Sequence, residues 1–423
     1  IMWNTYGVFA SECFEDTYSD MFKMEYHLTG AEYDLSETGF TCLQRNSESN
    51  IQNIFSGKFI GATGKSKIIY NLSRYRQASM GLFKLVGNTD TSVTEFKNLV
   101  IEAEIMQDSS TVTNGIKQGR HRYALMGGIA VQSQGNINVY DVDLNVDMSG
   151  CYNNHYTAAD KGYYGGLFGK YTSTNNSILN IDNLNATGHK TITDTSICAA
   201  QVIAYVECNS GTPVINFDNV TISGIVEDTY YNDNVSMISG LVAVMNNYNR
   251  DMWNDYNNYS FKNYVNVNNL VIEGLTINNP TVKYTSGGLI GFRWTNVIAE
   301  INNLIIRQDA EGNDNIVNGS ARTGGMFAEV TGRLDMENIN ISGLKYNMTG
   351  LGNNHYPGLI SSEGRTLYLS VKDYVIDGTT TVITGAPSNF DELVGLTRRG
   401  DDSGGIVSIS SSTVDYLDID GEY

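Results

Sequence analysis

A chain of 423 residues with 41% hydrophobic content holds enough apolar material for a core, and only 17% of it is charged, below the roughly 25% of an average globular chain. Its 46 acidic against 27 basic residues give a net charge of −19, which argues against nucleic acid and against an anionic membrane surface, because both are bound by Lys and Arg. No run of 18 or more apolar residues occurs, so no segment is expected to span a bilayer as a helix.

The first 50 residues carry Phe9, Phe14, Met21, Phe22 and Met24 among acidic residues and lack the pattern that follows. They are expected to form an N-terminal cap or assembly segment over the first level of a repeat domain at 51–423, because an open strand edge templates unwanted pairing. The start, Ile1-Met2-Trp3, reads as that of a processed or excised piece.

From residue 51 two short motifs alternate. The first is a glycine step followed by apolar residues: Gly81-Leu82-Phe83, Gly127-Gly128-Ile129-Ala130, Gly165-Gly166-Leu167-Phe168, Ser239-Gly240-Leu241-Val242, Gly287-Gly288-Leu289-Ile290 and Gly324-Gly325-Met326-Phe327. Weaker copies are Pro357-Gly358-Leu359-Ile360 and Gly404-Gly405-Ile406-Val407, and a copy without glycine is Ala199-Ala200-Gln201-Val202-Ile203-Ala204. The second motif alternates apolar and polar residues about a central Asn or Asp, as in Val267-Asn268-Asn269-Leu270-Val271-Ile272. Its central residues are Asn98, Asp141, Asn183, Asn219, Asn269, Asn303, Asn338, Asp373 and Asp415, separated by 43, 42, 36, 50, 34, 35, 35 and 42 residues.

Period-two alternation specifies strands. A unit of two or three strands cannot bury its apolar face alone, and stacking units solves this. The expected fold is all-β: a parallel β-helix (β-solenoid) of about nine coils with glycine and Asn/Asp corner columns and loop insertions. Asn and Asp tolerate the left-handed conformation of a sharp corner, and stacked amides can bond along the column. The Asn/Asp column is expected to face a buried turn, with Asn219 pointing inward. A β-propeller, with blades of similar length, is the rival; it needs tight antiparallel hairpins, whose Asn-Gly and Asp-Gly signals are scarce here.

Phe55-Ser56-Gly57-Lys58-Phe59-Ile60-Gly61 through Gly81-Leu82-Phe83, together with the Gly-Gly-Leu-Phe-Gly steps followed by Asn-Leu-x-Ile, resembles the GLUG-type repeat proteins over about residues 50–423. That resemblance implies a right-handed parallel β-helix in a large secreted or surface-anchored protein. The repeats here are longer than the family's and carry more Asn and Tyr.

The longest insertions are expected at about 102–126, 147–164, 223–238 and 244–264, rich in Tyr and Asn. Insertions on one face of a solenoid often build its binding face, and Tyr or Trp beside Asn suits sugar rings or protein partners. Tyr156, Tyr163, Tyr164, Trp253 and Tyr256 are therefore the candidate binding residues, against the simpler reading that they pack the loops. Nine N-x-S/T sequons occur; the loop candidates for glycosylation, in a eukaryotic source, are Asn175, Asn234, Asn258, Asn318 and Asn347. Of five cysteines, Cys198 with Cys208 and Cys13 with Cys42 are the conceivable pairs, leaving Cys151, and no spacing suggests zinc.

Enzymatic motifs are incomplete. Asn88-Thr89-Asp90, Gly188-His189-Lys190 and Asp401-Asp402 do not reproduce the order or identity of a polygalacturonase-like set, and glycoside hydrolysis needs two placed carboxylates. Asp309-Ala310-Glu311-Gly312-Asn313-Asp314-Asn315 has oxygen donors at alternate positions, the one place where calcium is considered, but lacks the closing Glu of an EF-hand. Arg399-Gly400-Asp401 is an integrin-type tripeptide of a length that arises by chance. No catalytic residue, metal ligand or cofactor is assigned. The expectation is a non-catalytic extracellular structural or adhesive β-solenoid, a segment of a larger surface protein or a filament subunit. Its expected partners are itself or neighbouring domains head-to-tail, and glycans or a cell-surface protein. The alternative is a carbohydrate-active enzyme or phage-type tailspike on the same fold.

Overall fold

The computed structural model describes residues 23–36, 54–73, 79–88, 91–106, 125–149, 162–173, 176–192, 197–208, 210–229, 236–245, 263–279, 287–319, 323–348, 358–363, 367–384, 406–414 and 418–420. Among them there is no helix, and 27 strands belong to one hydrogen-bonded sheet. Its strand pairings run parallel, which rules out the propeller's antiparallel blades. The architecture is all-β with a large parallel sheet, consistent with a β-solenoid.

The register reproduces the spacing of the second motif. Leu99 pairs with Val142, Val142 with Leu184, Leu184 with Val220, Val220 with Leu270, Leu270 with Leu304, Leu304 with Ile339 and Ile339 with Tyr374. These steps are the 43, 42, 36, 50, 34, 35 and 35 residues that separate the Asn/Asp positions. Each strand therefore stacks on its counterpart in the next repeat, at about 4.8 Å per level.

The next step departs from the expectation. Tyr374 pairs with Ser412, so Ser411 rather than Asp415 stands opposite Asp373. Asp415 lies outside the described residues. The spacing of 42 misled because Asp is common in this stretch and one acidic residue resembles another.

The ladder also starts earlier than residue 51. Strand Glu25–His27 pairs with Lys58–Ile60, and Glu32–Asp34 pairs with Ser66–Ser73. The described part of the first 50 residues continues the parallel columns; its sequence lacks the repeat motif because Glu25, Tyr26 and His27 offer no apolar alternation. Phe9, Phe14, Met21 and Phe22 lie outside the described residues.

The main core is one cluster running from Leu28 to Ile383. Its aromatic residues satisfy their polar tips on backbone carbonyls, as buried Tyr and Trp generally must. Tyr171 Oη donates to Gly135 O at 2.8 Å, Trp294 Nε1 to Val242 O at 2.9 Å, and Tyr70 and Tyr346 to Gly128 O and Thr323 O.

The glycine step exists because neighbouring levels touch there. A Cβ on Gly128 would stand 2.1 Å from Gly166 O, and one on Gly166 2.0 Å from Gln201 O. Steric contact between levels, not a positive φ, fixes these two glycines.

Insertion boundaries shift. Strand Val93–Met106 extends into the first expected insertion, Asn136–Ser149 and Gly162–Gly165 into the second, Val214–Asp228 into the third, and Asn263–Asn278 into the last. At Glu102–Met106 the strand alternation simply continues past the expected boundary.

Candidate functional site

Eight of the nine expected corner residues are left-handed: Asn98, Asp141, Asn183, Asn219, Asn269, Asn303, Asn338 and Asp373 have φ between 50° and 58°. Their placement corrects the sequence reading, because the column lies on the outside. Asn183, Asn219, Asn338 and Asp373 are exposed and the others half-buried. The motif reads apolar-polar-corner-apolar. Ile181 and Leu184 point into the core, and both Asp182 and Asn183 stay out.

The outer amides bond from level to level. Asn183 Nδ2 donates to Asp141 Oδ1 at 2.6 Å, Asn269 Nδ2 to Asn219 Oδ1 at 3.0 Å, and Asn303 Nδ2 to Asn269 Oδ1 at 3.1 Å. The column is stitched diagonally at two steps, where Asn219 donates to Asp182 and Asn338 to Asn302. A second row, Asn138–Asn180–Asn216–Asn266, is joined at 2.9, 2.7 and 2.8 Å. A third joins Asn278, Asn318 and Asn347 at 3.1 and 2.7 Å. Asn318 and Asn347 thus sit on strands Asn315–Gly319 and Leu344–Met348, not on loops. Their amides are engaged in this row, which removes them as loop glycosylation candidates. Asn175, Asn234 and Asn258 lie outside the described residues.

A second apolar cluster, separate from the main core, lies on the strands that flank the glycine step on both sides. It includes Cys198, Tyr205, Met237, Val244 and Phe292, with Tyr163 packed against it. Tyr163 and Tyr205 stack at 4.8 Å between centroids. Lys170 Nζ lies 5.8 Å from the Tyr205 ring centre and bonds Glu207 at 2.7 Å. Further along the same row of partners, Arg293 Nε donates to Glu329 Oε2 at 2.7 Å, and both residues are buried. Lys170, Tyr205, Val244, Arg293 and Glu329 are successive parallel partners. Sequence reading missed this row. Its signal is a charged or aromatic residue three positions past the first apolar residue of the step at Lys170, Tyr205 and Glu329, and four past it at Arg293; Val244 does not carry it.

Of the candidate binding residues, Tyr163 is half-buried in this cluster. Tyr164 is fully buried in the main core and presents nothing to a ligand; neighbouring residues of a strand face opposite sides. Tyr156, Trp253 and Tyr256 lie outside the described residues.

Cys198 and Cys208 are not bridged to each other. Cys198 Sγ contacts Met237 Sδ at 4.0 Å and Cys208 Sγ contacts Ser210 O at 3.9 Å, so this conceivable pair is not made. Burial raises the Cys208 thiol pKa. Cys13, Cys42 and Cys151 lie outside the described residues.

The Asp309–Asn315 loop closes on itself. Asp309 Oδ1 accepts from the backbone N–H of Glu311 and Asn313, and Oδ2 accepts from Asn313 Nδ2, which together hold its carboxyl below the usual range. Among the described residues no group of three or more His, Cys, Asp or Glu is placed to hold a metal. His189, from the polygalacturonase-like comparison, is exposed and bonds Glu227 at 2.7 Å, whereas Lys190 is buried. Asp401, Asp402 and Arg399 lie outside the described residues. No family model, no curated protein and no solved structure matches this chain.

Proposed function

We propose that the chain is a right-handed parallel β-helix of about nine coils, akin to the GLUG-type repeat proteins, serving as a non-catalytic extracellular structural and adhesive element. It is a segment of a larger surface protein or a filament subunit, joined head-to-tail to itself or to neighbouring domains. The observation that carries this reading is where the recurrent polar side chains go. The Asn and Asp rows are spent on bonds between levels, which is an architectural use of groups that a catalytic site would aim at substrate.

The adhesive part rests on Tyr163 stacked against Tyr205 beside Lys170 and Glu207. Tyr205 is buried, so half-buried Tyr163 with its charged neighbours is the part open to a glycan or a protein partner. The test is a glycan array run beside a polysaccharide-degradation assay. Binding without turnover is expected, and Tyr163→Ala should lower that binding at least tenfold while costing about 0.5–1.5 kcal/mol of stability. Depolymerisation of a bound polysaccharide would overturn the non-catalytic reading. Undiminished binding by Tyr163→Ala would remove the aromatic cluster from the adhesive surface.

A further inference from the structure

Two residues break the repeat, and they touch each other. Ile105, Met148, Lys190, Val226, Ile277, Val317, Tyr346 and Ile383 are successive parallel partners in one inward column. All are buried, and Lys190 alone among them is charged or chargeable at neutral pH. The glycine-step column runs Gly166, Gln201, Gly240 by the pairing of the residues just before them, Gly165 with Ala200 and Ala200 with Ser239. Gln201 is the member with a side chain, and it is fully buried.

The two exceptions complete one hydrogen-bond network. Lys190 Nζ donates to Val146 O at 3.1 Å and to Gln201 Oε1. Gln201 Nε2 donates to Gly188 O at 2.8 Å and to Ile225 O at 3.3 Å. Every Gln201 amide atom is used. A neutral amine has two N–H groups, and two acceptors receive them. An ammonium carries a third, for which the described residues supply no acceptor.

We propose that Lys190 and Gln201 form a proton-sensitive latch: with the amine neutral they fasten strand His189–Ile192 to the turn at Gln201, and proton uptake releases it. The charged groups around the amine do not offset a buried cation. From strand Asn136–Ser149 comes Asp147, whose charge favours the ammonium, but its carboxylate is exposed and accepts His189 N–H at 2.7 Å. His189, on the same strand as Lys190, and Glu227, from Val214–Asp228, pair with each other at the surface. Asp228 pairs in register with Ile192, two residues beyond Lys190. The glycine steps packed above and below bring no charge. Burial accordingly lowers the Lys190 pKa from 10.5 to about 7.

The sign follows from linkage. A released Lys190 titrates near 10.5, whereas the fastened one titrates near 7. Between these values opening takes up one proton, so the opening constant rises about tenfold for each unit of falling pH, and it levels off below about 7.

The test compares urea unfolding of wild type, Lys190→Met, Gln201→Gly and the double variant at pH 7.5, 8.5 and 9.5. The unfolding constant of wild type relative to Lys190→Met should rise about tenfold per unit as pH falls. The double variant, which restores the apolar and glycine columns, should lose this slope and unfold at higher urea than Gln201→Gly. A wild-type-to-Lys190→Met ratio that is constant across this pH range overturns the latch. A second readout needs no variant: in wild type carrying 13Cε-lysine, one lysine should titrate near neutrality, and titration of all of them near 10.5 overturns the latch equally.

Discussion

At the scale of single residues the corner asparagines carry two separable contributions. Asn303 holds φ at 57° and donates one amide bond to Asn269. A left-handed backbone costs a residue with an ordinary side chain about 1–2 kcal/mol, and a typical hydrogen bond contributes about 0.5–1.5 kcal/mol. Asn303→Leu loses both and is expected to cost about 1.5–3.5 kcal/mol. Asn303→Gly loses only the bond and should cost about 0.5–1.5 kcal/mol, since glycine adopts this conformation freely. Equal losses in denaturant melts of the two variants would show that the corner conformation does not matter. The identity and spacing of these residues were legible in the sequence from Asn98 to Asp373, because few residue types tolerate that backbone. Which way they point was not. Two polar residues between inward apolar ones break strict alternation, so parity assigns the corner to the wrong side. Lys190 was illegible for the opposite reason: His189-Lys190-Thr191-Ile192 reads as an ordinary edge of charge, and its burial is explained by Gln201 eleven residues later. The one available signal was the missing glycine at 201.

At the scale of elements the glycine step ties each repeat to the next. The Cβ clash at Gly166 is with backbone, 2.0 Å from Gln201 O, so no side-chain rotation relieves it. Gly166→Ala is expected to cost about 1–3 kcal/mol, the range of overpacked cores, and to loosen strand Phe168–Ser173 together with its partner Ile203–Cys208. Hydrogen exchange of these two strands reads it; protection equal to wild type would mean that the levels do not meet at this step. The strand after the step was legible as apolar, but its outer row was not. Arg293 and Glu329 lie 36 positions apart, and their pairing in the second cluster depends on register, which repeat lengths varying from 34 to 50 obscure. Tyr164 failed as a surface candidate by the same logic: alternation sends it opposite to Tyr163, and the sequence of the insertion carried no pattern to fix the parity.

At the scale of the whole molecule the central claim is that consecutive repeats stack as parallel levels in one register. Lys97, Tyr140, Asp182, Asp218, Asn268, Asn302 and Glu337 are successive partners along an outer row. The net charge of −19 does not prevent this stacking, because amide rows and cross-level pairs such as Arg307–Glu273 at 2.9 Å and Lys345–Asp314 at 2.7 Å occupy the outer faces. Each exposed pair contributes little by itself, so the levels are held chiefly by the core and the backbone ladder. The direct measurement is electron–electron double resonance between spin labels at positions 97 and 337 in a cysteine-free background, repeated with the pair 182 and 337. Six levels should place the first pair about 29 Å apart and four levels the second about 19 Å apart, before label linkers are added. A difference of about 10 Å between the two pairs is the expected result. Equal distances, or a first pair closer than the second, would contradict the parallel stack.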